Sequence, residues 1–214
     1  MHNNMKIKII KLNLPAPSME LVKLFTDYVD ARPLDPDNKR WLDEFQDNTC
    51  NSALHYYSRR GILPVDFENL LSQEYQKFFD KHVLRGSGGI IKHPGGIPSC
   101  QPPHCDRGRR FAINFYVSTG GAEVATVFYD RQSHVTTEAL NVKYAEVTEV
   151  RHIIFSANEW FGFPTDWVHS VENITGCRYF FGIHLQRPGQ EIYDLDYSFD
   201  DFLQDYPGLI NSYL

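Results

Sequence analysis

Arg110-Phe111-Ala112-Ile113-Asn114-Phe115-Tyr116-Val117 is the stretch on which the fold turns. Phe111, Ile113, Phe115 and Val117 fall on one face, and Arg110, Ala112, Asn114 and Tyr116 on the other. Successive side chains of a strand point to opposite faces, so a period of two marks a strand and excludes a helix. Residues 178–185 repeat the pattern, with Tyr179, Phe181, Ile183 and Leu185 opposite Arg178, Phe180, Gly182 and His184. In both segments an arginine sits on the face opposite the main apolar row. A charged group on a well-formed strand points either to solvent or into a polar cavity. If the apolar rows pack outward on helices or on a second sheet, Asn114, Tyr116 and His184 line the cavity.

Further short strands are predicted at 6–14, 90–93, 123–129, 152–155 and 168–172, separated by Gly-, Pro- and Asn-containing turns. The N-terminal part reads differently. Ser18 is placed to cap a helix carrying Leu21, Leu24, Phe25 and Tyr28. A short helical piece is expected around Trp41, Leu42 and Phe45. A longer helix starts at Asp66, aligns Leu70, Leu71, Tyr75, Phe78, Phe79 and Val83 on one face, and is expected to stop at Gly86, Gly88 and Gly89. The expected fold class is mainly β, an antiparallel sandwich or barrel, with an N-terminal helical layer over one sheet.

A chain of 214 residues is most economically one domain with its own core. Hydrophobic residues at 42% and aromatics at 14% place it among folded globular proteins. The net charge of −6 argues against a general nucleic-acid binder. No apolar run is long enough to span a bilayer, and Met1-His2-Asn3-Asn4-Met5-Lys6 lacks the layout of a signal peptide, so a cytoplasmic protein without a membrane partner is expected. Cys50, Cys100, Cys105 and Cys177 form no CxxC pair and are expected to be reduced thiols. A zinc site from Cys100, His104 and Cys105 would need a fourth ligand.

The chemistry concentrates in His104-Cys105-Asp106, followed by His169 and Arg178. Two imidazoles and one carboxylate can occupy one face of an octahedral metal and leave the other open, the arrangement of non-haem Fe(II) oxygenases. His104 and Asp106 are alternate residues, so an extended segment points both the same way. His-x-Asp alone is weak, because nine histidines and sixteen aspartates produce roughly 0.7 such pairs by chance. Its setting raises it: the pair follows a Gly/Pro turn and precedes a strand, and His169 follows another turn and opens a strand. Arg178 opens the next strand, so antiparallel pairing is expected to bring it near His169.

Pro103-His104-Cys105-Asp106, Arg110-Phe111-Ala112-Ile113-Asn114-Phe115, Thr126-Val127-Phe128-Tyr129, His169-Ser170-Val171-Glu172-Asn173 and Arg178-Tyr179 together resemble the Fe(II)/2-oxoglutarate-dependent dioxygenases. Within that superfamily the chain is most similar to the aspartyl/asparaginyl β-hydroxylase-like branch, with the prolyl hydroxylase-like branch second. The resemblance covers roughly residues 88–187. It implies a double-stranded β-helix, the jelly-roll or cupin-like barrel, over 88–187, supported by 1–87 and followed by an acidic extension at 188–214. It implies His104, Asp106 and His169 as iron ligands and Arg178 as the partner of the 2-oxoglutarate distal carboxylate, with Asn114 and Tyr116 as further cosubstrate contacts. Arg110 and His184 are candidates for the organic substrate.

Such enzymes couple decarboxylation of 2-oxoglutarate by O2, which yields succinate and CO2, to hydroxylation of an unactivated C–H. An amino-acid side chain, free or in a peptide, is the substrate class implied. Two alternatives stay open: a non-catalytic cupin-like metal or ligand binder, and a nucleic-acid demethylase, which the acidic charge disfavours. Oligomeric state is not encoded in any readable pattern.

Overall fold

The computed structural model describes residues 7–31, 55–57, 63–92, 98–106, 109–132, 140–142, 144–189 and 196–214. The helical piece expected around Trp41 lies outside the described residues, as does His93 at the end of the strand expected at 90–93. In chain order the elements are β1 (Ile10–Leu12), α1 (Met19–Asp30), β2 (His55–Tyr57), α2 (Val65–Tyr75), β3 (Val83–Lys92), β4 (Ser99–Cys105), β5 (Phe111–Thr119), β6 (Ala125–Gln132), β7 (Leu140–Asn141), β8 (Glu149–Ile154), β9 (Trp160–Pro164), β10 (Trp167–Ile174), β11 (Arg178–Gln186), α3 (Phe199–Asp205) and β12 (Ile210–Tyr213). The strands form two antiparallel sheets, a larger one in the order β12-β1-β9-β5-β11-β3-β2 and a smaller one in the order β7-β4-β10-β6-β8.

The two alternating segments are neighbours at the centre of the larger sheet, with Ile113 opposite Ile183 and Phe115 opposite Phe181. Their apolar rows face outward, onto the helices. Phe111, Ile113, Phe115, Phe181, Ile183 and Leu185 share one core with Leu21, Phe25 and Val29 of α1, Phe67 and Leu71 of α2, and Phe199 and Phe202 of α3. Ser18 caps α1 through its hydroxyl, which accepts from the Leu21 amide, as its position predicts. The acidic C-terminal segment docks in the same way: α3 begins in a capping box between Ser198 and Asp201 and buries Phe199, Phe202 and Leu203.

The opposite rows face the smaller sheet. Ala112, Tyr116, Phe161 and Phe163 of the larger sheet meet Phe128 of β6 and Phe155 in a second core. Inward space is therefore filled largely by aromatic rings, and the site described below lies along this layer.

The glycine run corrects the sequence reading. Gly86, Gly88 and Gly89 do not end a helix; α2 stops at Tyr75, followed by a 3-10 turn to Phe78, and the glycines lie inside β3. Close packing explains them, because side chains from other elements cross directly over the strand. A Cβ on Gly89 would lie 2.1 Å from the Phe180 ring, and one on Gly88 would lie 2.9 Å from Phe25. Expected reduced thiols are also corrected at one position: Cys100 is disulfide-bonded, while Cys105 and Cys177 are free. Spacing along the chain does not report which thiols the fold brings within bridging distance. No helix among the described residues is long and apolar enough to cross a membrane.

Gly89→Ala should therefore destabilise the chain by about 1–3 kcal/mol, the usual cost of overpacking. Gly208→Ala, where nothing lies within 4 Å of the added Cβ, should be near neutral. Urea unfolding midpoints of the two variants check the contrast.

Candidate metal centre

His104 and His169 are direct cross-strand partners in the β4–β10 pair. Their ring centroids lie 4.5 Å apart, tilted by 47°. Asp106 follows the end of β4 and is held by its amide, which donates to the Thr165 carbonyl at 3.1 Å. One carboxylate oxygen, Oδ1, lies 3.6 Å from His104 Nε2 and 3.9 Å from His169 Nε2. These three ligand atoms fall within 4.8 Å of one another, a group able to hold a metal ion. Cys105, between the two β4-side ligands, turns to the other face and packs with Val127, Tyr129 and Val168. It takes no part in the group.

Backbone carbonyls decide which nitrogen of each ring faces the site. His104 Nδ1 lies 2.8 Å from the Pro102 carbonyl, and His169 Nδ1 lies 2.9 Å from the Trp167 carbonyl. A carbonyl only accepts, so each Nδ1 carries the proton and each Nε2 presents a lone pair toward Asp106. The same device, a bond to the residue two positions earlier, is used on both strands.

The protonation states suit a cation. Burial, then the neighbouring His104, pull His169 down to about 4, so its imidazole is neutral at pH 7. Burial opposes charge on Asp106, but Arg109 and the two histidines outweigh it and hold the carboxyl well below the usual range. Arg109 reaches Asp106 Oδ2 through Nε at 2.8 Å and also through Nη2, leaving Oδ1 toward the histidines. The sequence pattern left Arg109 open between an ordinary loop charge and a contact for an acidic substrate at the cavity rim, and did not place it on Asp106. Its position three residues beyond a ligand was the available signal.

Gln101 was missed as well, and a bulge is the reason. In the β4–β10 pair, His169 faces His104 while Val171 faces Gln101, so three residues of β4 span two of β10. The extra residue falls at Pro102-Pro103, which has no N–H to give to the ladder. Gln101 and His104 thereby come together despite their odd spacing, and Gln101 Nε2 lies 3.0 Å from His104 Nε2. A lone pair serves one partner, so this amide must turn away whenever His104 holds a metal.

Arg178 lies in the opposite sheet. It pairs with Thr119 of β5 and Ile91 of β3, not with β10, so the expectation of a sheet neighbour to His169 is corrected. The turn between β10 and β11 crosses from one sheet to the other. Arg178 is only 2% exposed; its Nη1 donates to the Thr119 carbonyl at 3.2 Å, and its guanidinium stacks 4.6 Å from the Tyr116 ring centroid. Ring contacts link it back to the ligands: Tyr116 stacks on Phe155 at 5.1 Å, Phe155 on Phe163 at 5.5 Å, and Phe163 meets the His169 ring at 6.3 Å.

Between these ends, Gly182 of β11 is flanked by Ser87 of β3 and Asn114 of β5 in register. A Cβ on Gly182 would lie 2.6 Å from Asn114 Oδ1 and 2.8 Å from Ser87 Oγ. Both of those atoms are buried and have no hydrogen-bond partner among the described residues. Buried polar atoms are rarely left so, and glycine at 182 is what lets these two converge. Of the weaker sequence candidates, Arg110 reaches Asp166 Oδ2 at 3.4 Å, and His184 lies half-buried beside Arg85.

No family model and no curated protein matches this chain. Solved structures do. AviO1 from Streptomyces viridochromogenes Tue57 aligns with TM-score 0.46 and 12% identity over 89% of this chain and 94% of its own. The epimerase SnoN in complex with Fe3+, alpha ketoglutarate and nogalamycin RO aligns with TM-score 0.45 and 10% identity over 86% and 80%. A Pseudomonas putida prolyl-4-hydroxylase aligns with TM-score 0.37 and 11% identity over 84% and 94%. Likeness at this level assigns no chemistry; the side chains of this protein must do so.

The depressed His169 has a measurable consequence for the metal-free chain. Its folded pKa of about 4 lies below the ordinary value of 6.5, so the unfolded chain binds the proton more readily. Stability present above pH 6.5 should be lost as the pH falls from 6.5 toward 4. Urea unfolding of the metal-free protein across that window should show the loss, and His169→Gln should flatten it.

Proposed function

We propose that this protein is an Fe(II)- and 2-oxoglutarate-dependent dioxygenase that hydroxylates an unactivated C–H, of an amino-acid side chain free or within a peptide. The observation that carries the reading is the convergence of His104 Nε2, His169 Nε2 and Asp106 Oδ1 in one buried group. Two imidazole nitrogens and one carboxylate oxygen on adjoining positions are the donor set suited to a ferrous ion with open sites. The two sheets are read as the halves of a double-stranded β-helix. The amino-acid substrate rests on the sequence resemblance to the aspartyl/asparaginyl β-hydroxylase-like branch.

In this reading His104, Asp106 and His169 hold Fe(II). Bound iron, together with 2-oxoglutarate and O2, supplies the oxidising power for hydroxylation, with succinate and CO2 released. The Pro102 and Trp167 carbonyls fix the tautomers of the two imidazoles, and Arg109 orients the carboxylate. Arg178, buried in the facing sheet and stacked on Tyr116, would hold the distal carboxylate of 2-oxoglutarate through its planar fork. Asn114, buried on the neighbouring strand β5, would be a further cosubstrate contact. Phe128, Phe155, Phe161 and Phe163 exclude water from the space between the sheets.

Anaerobic titration of the protein with Fe(II) and 2-oxoglutarate should produce the weak visible charge-transfer band of the chelate, followed on aeration by succinate release. Iron binding without that band would favour the non-catalytic cupin-like alternative. His169→Ala should abolish iron binding. Arg178→Ala should retain iron and raise the apparent dissociation constant for 2-oxoglutarate by about 10- to 100-fold, the worth of a charged hydrogen-bonded pair. Equal effects of the two substitutions on iron would contradict the division of roles.

A further inference from the structure

Gln101 is the buried polar side chain at the metal centre that must change partner when the site is loaded. It is 7% exposed, and the only hydrogen bond of its side chain among the described residues is to His104 Nε2, at 3.0 Å. The Pro102 carbonyl, 2.8 Å from His104 Nδ1, takes the ring proton. The bond between the two residues therefore runs one way: the Gln101 amide donates and the imidazole lone pair accepts. That same Nε2 faces Asp106 Oδ1 at 3.6 Å and belongs to the group completed by His169. The amide stands where a cation has to enter.

Loading removes that acceptor. With the lone pair given to an ion, the N–H group is left buried, and a buried donor without a partner is strongly unfavourable. Asp106 does not replace it, because Oδ2 accepts two N–H groups from Arg109 and Oδ1 goes to the ion. Phe128 and Phe163, the rings beside His169, carry no acceptor oxygen. What arrives with loading is the oxygen that fills the open positions of the site. Water serves poorly there, since a cation takes its lone pair and leaves it chiefly a donor. A carboxylate oxygen keeps both lone pairs and charge, and an N–H bond to it is charge-assisted.

We infer that Gln101 is a binding residue for the exogenous ligand of the metal centre and selects a carboxylate oxygen over water. In the metal-free site its amide covers the His104 lone pair; in the loaded site the same amide donates to a carboxylate held beside His104. One N–H group thus acts on two affinities with opposite signs, opposing entry of the ion and favouring entry of the anion. The inference rests on His104, Asp106 and His169 being metal ligands, and it requires no turnover. Under the dioxygenase reading the anion is the carboxylate next to the keto group of 2-oxoglutarate, at the opposite end from the one assigned to Arg178.

The full chain is titrated calorimetrically with Co(II), and the loaded protein is then titrated with acetate while the visible Co(II) spectrum is followed. Gln101→Leu should bind Co(II) about threefold or more tightly, because no hydrogen bond is displaced. It should bind acetate about tenfold or more weakly, because a charged hydrogen bond is lost. Gln101→Glu keeps the length of the side chain but has no N–H to donate when ionised, and it should move both affinities in the same directions. A damaged fold would weaken both ligands together, so the opposite signs separate the role of the amide from a structural one. Acetate affinity unchanged in both variants overturns the inference and leaves the metal centre standing, as does a loss of Co(II) affinity in both. Failure of the unsubstituted chain to take up Co(II) overturns the metal-ligand reading along with it. The expected acetate effect without an Fe(II)–2-oxoglutarate band supports the role of Gln101 and counts against the dioxygenase reading alone.

Discussion

The cross-strand pair of His104 and His169 is the contact on which the rest of the site depends. Neither histidine can reach the other unless β4 and β10 are neighbours in the right register, and the bulge at Pro102-Pro103 sets that register locally. Once the rings face each other, the carbonyls of Pro102 and Trp167 leave only Nε2 pointing inward. Asp106, anchored to the Thr165 carbonyl, then has one place to put its carboxylate. The group is therefore assembled by main-chain hydrogen bonds, which are less adjustable than side-chain contacts.

Burial makes this arrangement costly without a cation and useful with one. A His169 imidazole kept neutral by desolvation, the His104 Nε2 beside it and a carboxylate kept ionised by Arg109 face one another in this site. An acceptor cluster in a low-dielectric interior is what a divalent ion relieves. Arg178 is buried in the facing sheet, stacked on Tyr116 and bonded to Thr119, so a second fixed charge lies across the same aromatic layer. The layer is possible because β3 and β11 are thinned by glycine where rings or polar groups cross them. Phe180 lies over Gly89, and Asn114 and Ser87 converge over Gly182.

Alternation was the legible part of the fold. Phe111, Ile113 and Phe115 pack on helices and Ala112 and Tyr116 on the second sheet, as a period of two requires. The Ser18 cap was legible for the same local reason. Where the argument needed more than neighbouring residues it went astray. Gly86, Gly88 and Gly89 read as a helix stop because the side chains that require them, Leu63, Phe25 and Phe180, are remote in sequence. Gln101 escaped because a bulge breaks the period-two rule by which its face would have been assigned. Arg178 was expected beside His169 because consecutive strands often pair, whereas here the connection crosses between sheets.

The sequence by itself determined the strand faces and the helical layer, and it singled out the three side chains that converge. Each is a matter of local geometry: side-chain alternation, capping, and two ligands one residue apart. Only the tertiary structure decided the partner of each strand, the tautomer of each imidazole, the engagement of Arg109 with Asp106 and the disulfide at Cys100. Those depend on register and on the distance between segments far apart in the chain. The free energy that selects them comes from packing across sheets, which no window of neighbouring residues contains.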